Sequence, residues 1–197
     1  MVNLKKEKLK LQSPFYAIAS LFFMLPLVNC ENTNAEQNKV YYKDGQLLCV
    51  GNTDNGVQIG QWKYYFENGQ LRDTPIYDSE GRRTGKCKTY YLNGELNEVG
   101  IYKNDKKSDE WKHYHENGKL SSVERYVDGK ITGESKSYYE SGQLWFIGNY
   151  KGGKHEGEWK TYYESGQLKR VDIYKNGKSV GESKSYYENG ELITTYP

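Results

Sequence analysis

Apolar and polar positions follow a repeated pattern along most of the chain. A clear copy is GEWKTYYESGQLKRVDIYKNGKSV, from Gly157 to Val180, whose signature is an aromatic pair, two residues, a glycine, one residue and a leucine. Counted by its glycine, the signature recurs in steps of 24 or 25 residues, at Gly45, Gly69, Gly94, Gly118, Gly142, Gly166 and Gly190. Self-similarity at such a period predicts an array of small supersecondary units rather than one globular core.

Each copy contains two short segments rich in Tyr, Val, Ile and Thr, such as Glu158 to Tyr163 and Leu168 to Tyr174. Segments of this length and composition are typical of strands and too short for helices. The signature glycine follows Asn, Asp or Ser, and a second turn-forming pair, such as Asn176-Gly177, separates successive copies. Both are hairpin signals that call for positive φ. The pattern therefore predicts an all-β, elongated repeat array, an antiparallel meander of about a dozen strands in β-hairpins of 24-residue period.

Two-residue turns would fix which side chains share a face of the sheet, unless a bulge changes the parity. One face would then hold Trp159, Thr161, Tyr163 and Leu168, and the other Tyr162, Val171 and Ile173.

One position of the first strand alternates between large and small residues, in chain order Trp62, Cys87, Trp111, Ser135, Trp159 and Ser183. Adjacent indoles on one face would compete for the same volume. We therefore expect each indole to lean over the small residue of the neighbouring repeat, which doubles the packing period to two repeats.

Composition narrows the function classes. Formal net charge is +2, and basic and acidic residues alternate without a basic block, which argues against nucleic-acid binding. Hydrophobic residues make up 36% of the chain, yet 20 residues are tyrosine, whose polar tip suits a half-exposed surface. With 21 glycines and 4 prolines, the mixture favours a hairpin-rich protein over a disordered one.

The first thirty residues have the pattern of an export signal. A lysine-rich start is followed by a 14-residue apolar run, Phe15 to Val28, which is short against the about 20 residues that a membrane-spanning helix needs. The end of this run, Leu27 to Cys30, resembles a bacterial lipobox, although Asn29 stands where a small residue is usual. The resemblance implies lipidation of Cys30 and a membrane-anchored lipoprotein of the bacterial cell envelope.

Two alternatives stay open for this segment. Plain cleavage, for example near Thr33-Asn34-Ala35, would give a secreted or periplasmic protein, and a retained anchor is the third reading. The expected domains are a signal peptide over 1–30, a flexible tether over 31–39 and the repeats over 40–197.

The repeat itself resembles a known family. The unit G-E-W-K-x-Y-Y-E-x-G-x-L followed by Y-K-N-G-K-x-x-G, best matched at Gly157 to Leu168 and Gly60 to Leu71, is similar to the bacterial variant of the MORN repeat, especially the YwqK-type proteins described as antitoxin- or immunity-like. This resemblance implies an elongated sheet of hairpins with a binding or scaffolding role. It brings no catalytic residue, so we expect no enzyme activity. Choline- and glucan-binding cell-wall repeats are a weaker match, because their repeats are usually shorter.

Three groups of side chains are candidates for metal binding, a disulfide or catalysis. His113 and His115 lie two apart on a strand and so share a face, but a third ligand is not evident, and we expect neither a metal nor a cofactor. Cys49 and Cys87 lie three strands apart in the meander, roughly 14 Å, beyond the reach of a disulfide. Glutamates recur next to the hairpin turns, a position more typical of solvated charges than of a glycosidase pair, at Glu67, Glu116, Glu140, Glu164 and Glu188.

The favoured function is therefore binding. An unknown protein partner is expected to contact the aromatic stripe, with a glycan or peptidoglycan as the alternative ligand, phospholipid as a weaker one, and no nucleic acid. Large aromatic side chains dominate binding hot spots, although the same rings could simply cover their own sheet. The candidate contact residues are Trp62, Trp111, Trp159, Tyr163 and Tyr139.

Overall fold

The computed structural model describes residues 37–193, and the predictions for the signal segment, including lipidation of Cys30, concern residues outside this range. The described chain is all-β, with 17 strands in an antiparallel meander of hairpins, which confirms the predicted fold class. Residues 37–193 contain no helix with the length and apolar character that a bilayer crossing requires.

The strands in chain order are β1 Gln37–Tyr41, β2 Leu47–Asp54, β3 Val57–Tyr65, β4 Leu71–Asp73, β5 Ile76–Tyr77, β6 Arg83–Tyr90, β7 Leu96–Lys103, β8 Lys106–Tyr114, β9 Leu120–Val127, β10 Lys130–Ile131, β11 Gly133–Tyr138, β12 Leu144–Lys151, β13 Lys154–Tyr162, β14 Leu168–Lys175, β15 Lys178–Ser179, β16 Lys184–Tyr186 and β17 Leu192–Ile193.

Each long strand pairs with the one before and after it in the chain, as a meander requires. There are more strands than the predicted dozen because some predicted strands are interrupted; β4 and β5, for instance, are separated by Thr74 and Pro75. Proline has no N–H for the ladder, which accounts for that break. The first described strand begins at Gln37, three residues before the expected start of the repeats at residue 40.

The signature turn differs from the two-residue turn expected there. In the copy after β13, the Gly166 N–H donates to the Tyr163 carbonyl at 2.9 Å, and the Tyr163 N–H donates to the Gln167 carbonyl at 2.8 Å. Gly166 has a φ of +90°, whereas Ser165 before it is not in the left-handed region. This geometry is a three-residue loop with a glycine bulge.

The longer loop changes the pairing of Leu168 alone. Tyr162 pairs with Leu168, whereas Thr161 pairs with Arg170, so Lys169 is the extra residue of a bulge that restores the predicted register from Arg170 onward. Directly opposed residues share a face. Leu168 therefore lies on the face of Tyr162, and its predicted place beside Trp159 and Thr161 was wrong.

Two-residue turns with positive φ occur instead at the links between copies. Asn176 and Gly177 have φ of +53° and +81°, and Asn55 and Gly56 have +48° and +82°. Both central residues lie in the left-handed region, as a type I′ turn demands.

A second bulge in every other repeat carries the tryptophans. In β13, residues 157–159 lie opposite the single residue Gly148 of β12, because Glu156 pairs with Asn149 and Lys160 pairs with Ile147. Gly157 opens this bulge with a φ of +76° and Trp159 closes it. The bulge turns the indole back over Gly148, where an added Cβ would lie 2.2 Å from Trp159 Cδ2.

The same contact occurs at Gly51 under Trp62 and at Gly100 under Trp111, with corresponding distances of 2.2 and 2.1 Å. Packing thus has the expected period of two repeats. The residue beneath each indole, however, is a glycine of the adjacent strand rather than the small residue of the next repeat.

Candidate functional site

Two of the three candidate tryptophans are part of the core. Trp62 is 3% exposed and Trp111 is fully buried, although the sheet has a single layer. The indole N–H groups donate to strand carbonyls, Trp62 to Asn52 at 3.0 Å and Trp111 to Ile101 at 3.2 Å. Side chains with so little accessible area have no surface to offer a ligand, so Trp62 and Trp111 are not contact residues; they cover their own sheet.

Trp159 is half-buried in an aromatic cluster. Its ring lies 4.0 Å from the His155 ring, 5.0 Å from Tyr150 and 6.2 Å from Tyr174, measured between centroids. Its indole N–H donates to the Asn149 carbonyl at 3.2 Å. Trp159 is therefore held on several sides by its own repeat and the next.

Tyr139 and Tyr163 join successive repeats. The Tyr139 hydroxyl donates to the Tyr162 carbonyl at 2.7 Å, and the Tyr163 hydroxyl donates to the Tyr186 carbonyl at 2.9 Å, each 23 residues further on. Tyr42 and Tyr91 make the same bond, at 2.8 and 2.7 Å, to the carbonyls of Tyr65 and Tyr114. The second aromatic of the pair is thus first an inter-repeat link, and its remaining exposed area is what a partner can contact.

A charged cluster covers Trp111. The Lys107 ammonium lies 3.9 Å from the centre of the Trp111 ring and 3.1 Å from a Glu98 oxygen. His113 lies between two carboxylates, 3.5 Å from Glu98 and 3.9 Å from Glu124. Burial lowers the pKa of His113, and the nearby Lys107 lowers it further. Lys107 binds Glu98, and the Tyr126 hydroxyl donates to Glu124, so the carboxylates have partners within the cluster. Since the cluster lies against the indole, its visible role is to seal the core.

The other sequence candidates are accounted for individually. The His115 Nε2–H donates to the Tyr138 carbonyl at 2.9 Å, so this histidine takes the place of a linking tyrosine. Within residues 37–193, no three His, Cys, Asp or Glu side chains converge as a metal site would need. Cys49 in β2 and Cys87 in β6 are buried free thiols, and burial raises the pKa of Cys87 to about 11. The recurrent turn glutamates are exposed at every copy, at Glu67, Glu116, Glu140, Glu164 and Glu188.

The face opposite the tryptophans carries an uninterrupted row of lysines, which we call the lysine row. Between successive lysines the ladder places an aliphatic residue: Val99 pairs with Lys88 and Lys112, and Ile147 pairs with Lys136 and Lys160. In the short β4–β5 region Thr74 takes the aliphatic place, its N–H donating to the Lys88 carbonyl at 2.9 Å. The row comprises Lys39, Lys63, Lys88, Lys112, Lys136, Lys160 and Lys184.

Ion pairs orient three consecutive lysines of the row. Lys112, Lys136 and Lys160 each bind the glutamate two residues earlier, at 3.1, 2.6 and 2.7 Å. Their side chains remain 38–43% exposed, so these pairs add little stability but orient the ammonium groups.

An open groove lies between two neighbouring lysines of the row. It has a volume of about 830 Å³ and is lined by Lys112, Val123, Lys136 and the two paired glutamates Glu110 and Glu134. The groove therefore has an aliphatic floor and charged walls.

The exposed Trp145 was missed in the sequence. It is 45% exposed, and its ring centre lies 6.0 Å from Tyr139 and 5.2 Å from Phe146. It is the extra residue of the bulge after the signature leucine, a position filled elsewhere by Leu48, Arg72, Asn97, Ser121 and Lys169. Being the one aromatic in that column was the available signal.

Comparisons with known proteins bear on the repeat. The sequence pattern of the family described as MORN repeat variant matches six segments, residues 58–74, 83–104, 110–128, 131–151, 156–176 and 179–197. No curated protein matches the chain.

A solved structure, the accessory secretory protein 1, 2 and 3 of Streptococcus pneumoniae, is 13% identical with a TM-score of 0.21. The match covers 73% of this chain and 20% of that one, so the chain spans about a fifth of that structure's chain, and this likeness carries no argument. The six matched segments extend over more than half of the sequence and coincide with the hairpins, and the chain therefore belongs to the MORN repeat variant family.

Proposed function

We propose that the protein is a non-enzymatic binding scaffold that presents the lysine row to a protein partner. The observation that carries the proposal is the division of labour between the two faces. On the tryptophan face, Trp62 and Trp111 are buried in the packing of the sheet itself. On the other face, the lysines of the row are accessible, and ion pairs orient three of them.

The spacing of the row defines the partner's chemistry. Lysines of successive repeats are two strands apart, about 10 Å at the usual strand spacing. An elongated partner surface with carboxylates at that interval and apolar groups between them would meet ammonium groups and aliphatic floors in alternation. Repetition of weak contacts along one partner multiplies the effective affinity without any single strong site.

A face-specific crosslinking experiment tests this proposal. A photoreactive amino acid placed at Lys112 or Lys136 should crosslink one discrete protein in cells that make the full chain. The same group at Ser122, on the tryptophan face, is the matched control and should give no such adduct. Equal labelling from both faces, or none from the lysine face, would reject the lysine row as the contact surface.

Removing the lysine charges gives a second test of the proposal. Changing Lys112, Lys136 and Lys160 together to Gln should abolish the adduct formed from a probe at Lys88, while the free energy of unfolding changes by at most about 1 kcal/mol per pair. Changing the exposed turn glutamates Glu140 and Glu164 to Gln is the control for a general charge effect. Persistence of the adduct in the lysine variant would contradict the proposal.

We further propose that the chain is exported and held at a membrane by lipid on Cys30. The support is the lipobox-like end of the apolar run and the short separation along the sequence between Cys30 and the first described strand, which begins at Gln37. Metabolically supplied palmitate should label the wild-type chain and a Cys49→Ala variant, but not Cys30→Ser. If Cys30→Ser retains both the label and its membrane fraction, the anchor is elsewhere.

An immunity-like role at the envelope is the finer form of the same proposal. It predicts that a toxin-like protein encoded beside this gene is the crosslinked partner, and that expression of this chain protects cells from it. A partner without toxicity would leave the general scaffold function and remove the immunity role.

A further inference from the structure

A second, smaller pocket lies where the hairpin ends of two successive repeats meet. It has a volume of about 330 Å³, at the lower end of the range of about 300–1,000 Å³ typical of small-ligand sites. Its lining combines aromatic rings, three serines and a carboxylate, and includes Trp145, Tyr139, Ser121, Ser122, Ser137 and Glu140.

The aromatic wall is open to a ligand. Trp145 is 45% exposed, and its repeat-equivalent neighbour on the pocket side is the small residue Ser121. The next repeat-equivalent position holds Lys169 instead. A bulky residue at position 121 would fill the space beside the indole, so the pocket exists because Ser121 and Trp145 are adjacent in this column.

The serine hydroxyls of the lining are free to bind a ligand. In the part of the chain that the structure describes, the hydroxyls of Ser121, Ser122 and Ser137 make no hydrogen bond to the protein. A purely apolar occupant would displace water from these groups and leave them unpaired, which is costly. The occupant must therefore carry several hydroxyl or amide groups along with a flat apolar surface.

The charges of the lining residues further limit the chemical class of the ligand. The Glu140 side chain is exposed at the rim, and none of the described residues lining the pocket is a lysine or an arginine. The His115 Nε2–H, which could have bound an anion, is already donated to the Tyr138 carbonyl. The pocket thus disfavours phosphates and uronic acids.

We propose that this pocket binds one pyranose ring of a neutral or amino sugar. The C–H face of the ring would lie on Trp145, the serine hydroxyls would exchange hydrogen bonds with the ring hydroxyls, and Glu140 would accept from a further hydroxyl or an ammonium. This site replaces the tryptophan stripe as the place for a glycan, since Trp62 and Trp111 are buried, and it does not depend on the lysine-row partner.

Saturation-transfer NMR with methyl glucoside, N-acetylglucosamine and glucosamine, and with glucuronate as the anionic control, tests the proposal on the full chain. A single ring should bind with a dissociation constant on the order of 1 mM, given the small number of ligand atoms. Trp145→Ala should weaken binding at least tenfold, and so should the triple serine-to-alanine variant, which preserves shape but removes the hydroxyls.

The matched control is Tyr187→Ala, which removes an aromatic side chain that is 54% exposed and lies outside this pocket. It should leave sugar binding unchanged. Absence of saturable binding by all three neutral or amino sugars, binding of glucuronate alone, or equal binding by wild type and Trp145→Ala would each overturn the proposal. Because no lysine is altered, these outcomes are independent of the crosslinking result.

Discussion

Replacing Gly100 by alanine sets two known effects against each other. Gly100 is not in the left-handed region, so its backbone accepts alanine without strain. On backbone entropy alone, alanine in a strand should be more stable than glycine by about 0.5–1 kcal/mol. The new Cβ, however, would lie 2.1 Å from Trp111 Cδ2, far inside van der Waals contact.

The surroundings of Trp111 decide which effect is larger. The indole is fully buried, with Tyr102 at 5.0 Å and Tyr126 at 6.3 Å between ring centres and Lys107 at 3.9 Å from the Trp111 ring centre. It has no free space to move into, so the methyl group must displace the ring or the strand. Overpacking costs about 1–3 kcal/mol and occasionally more, and complete loss of a buried tryptophan costs about 3–5 kcal/mol. We expect a net destabilisation of about 3 kcal/mol.

Urea unfolding, followed by both fluorescence and circular dichroism, measures this change. Coincidence of the two transitions checks that the array unfolds cooperatively. The control is Gly100→Ala in a Trp111→Ala background, where the clash is absent and alanine should be neutral or stabilising by about 0.5–1 kcal/mol. A Gly100→Ala protein as stable as the wild type, or an equal cost in both backgrounds, would refute the packing of the indole on this glycine.

Four further substitutions test the repeat at other points. Phe66→Tyr should supply the linking hydroxyl that Phe66 lacks, raising stability by about 0.5–1.5 kcal/mol, while Tyr91→Phe should lower it by a similar amount in the same urea assay. Asp109→Gly should stabilise by up to about 1 kcal/mol, because Asp109 has a φ of +61° where the other repeats have glycine, and its ion pair with Lys103 is exposed; unchanged stability would show that the aspartate is unstrained. Because burial and Lys107 lower the pKa of His113, the folded state resists protonation of this side chain, so stability should fall as pH drops below the unfolded histidine pKa of about 6.5. The His113→Gln variant should lack the part of this fall that His113 causes, and identical pH profiles of stability for variant and wild type would contradict the prediction.

The meander was readable from the sequence because its signals are local. Strand length, the aromatic pair and the regular glycines all act within a few residues, and they predict hairpins whatever the tertiary contacts. The turn class was not readable in the same way. Ser165-Gly166 and Asn176-Gly177 both end in a glycine with positive φ, but of the residues before these glycines Asn176 has positive φ and Ser165 does not. The number of loop residues, and hence the parity of Leu168, depends on which dipeptide position becomes left-handed.

The burial of the tryptophans could be predicted only with knowledge of the strand register. Gly51, Gly100 and Gly148 share the two-repeat period of the indoles, a coincidence visible in the sequence, but only the three-to-one bulge brings the two columns together. Without that bulge, a tryptophan beside small residues is equally consistent with an exposed binding stripe. Trp62 and Trp111, which the sequence suggested as contact residues, are instead buried in the packing of their own sheet.

The two faces of the sheet follow different periods, and this difference separates stability from recognition. Packing repeats every two copies, because each buried indole needs a glycine beside it, whereas the lysine row repeats in every copy, because it depends only on strand alternation. A substitution in the lysine row or at the bulge position of Trp145 meets solvent rather than the indoles. Individual repeats can therefore carry different contact residues, as Ser121 and Trp145 do in adjacent copies, while the same tryptophan–glycine pairs hold the sheet together.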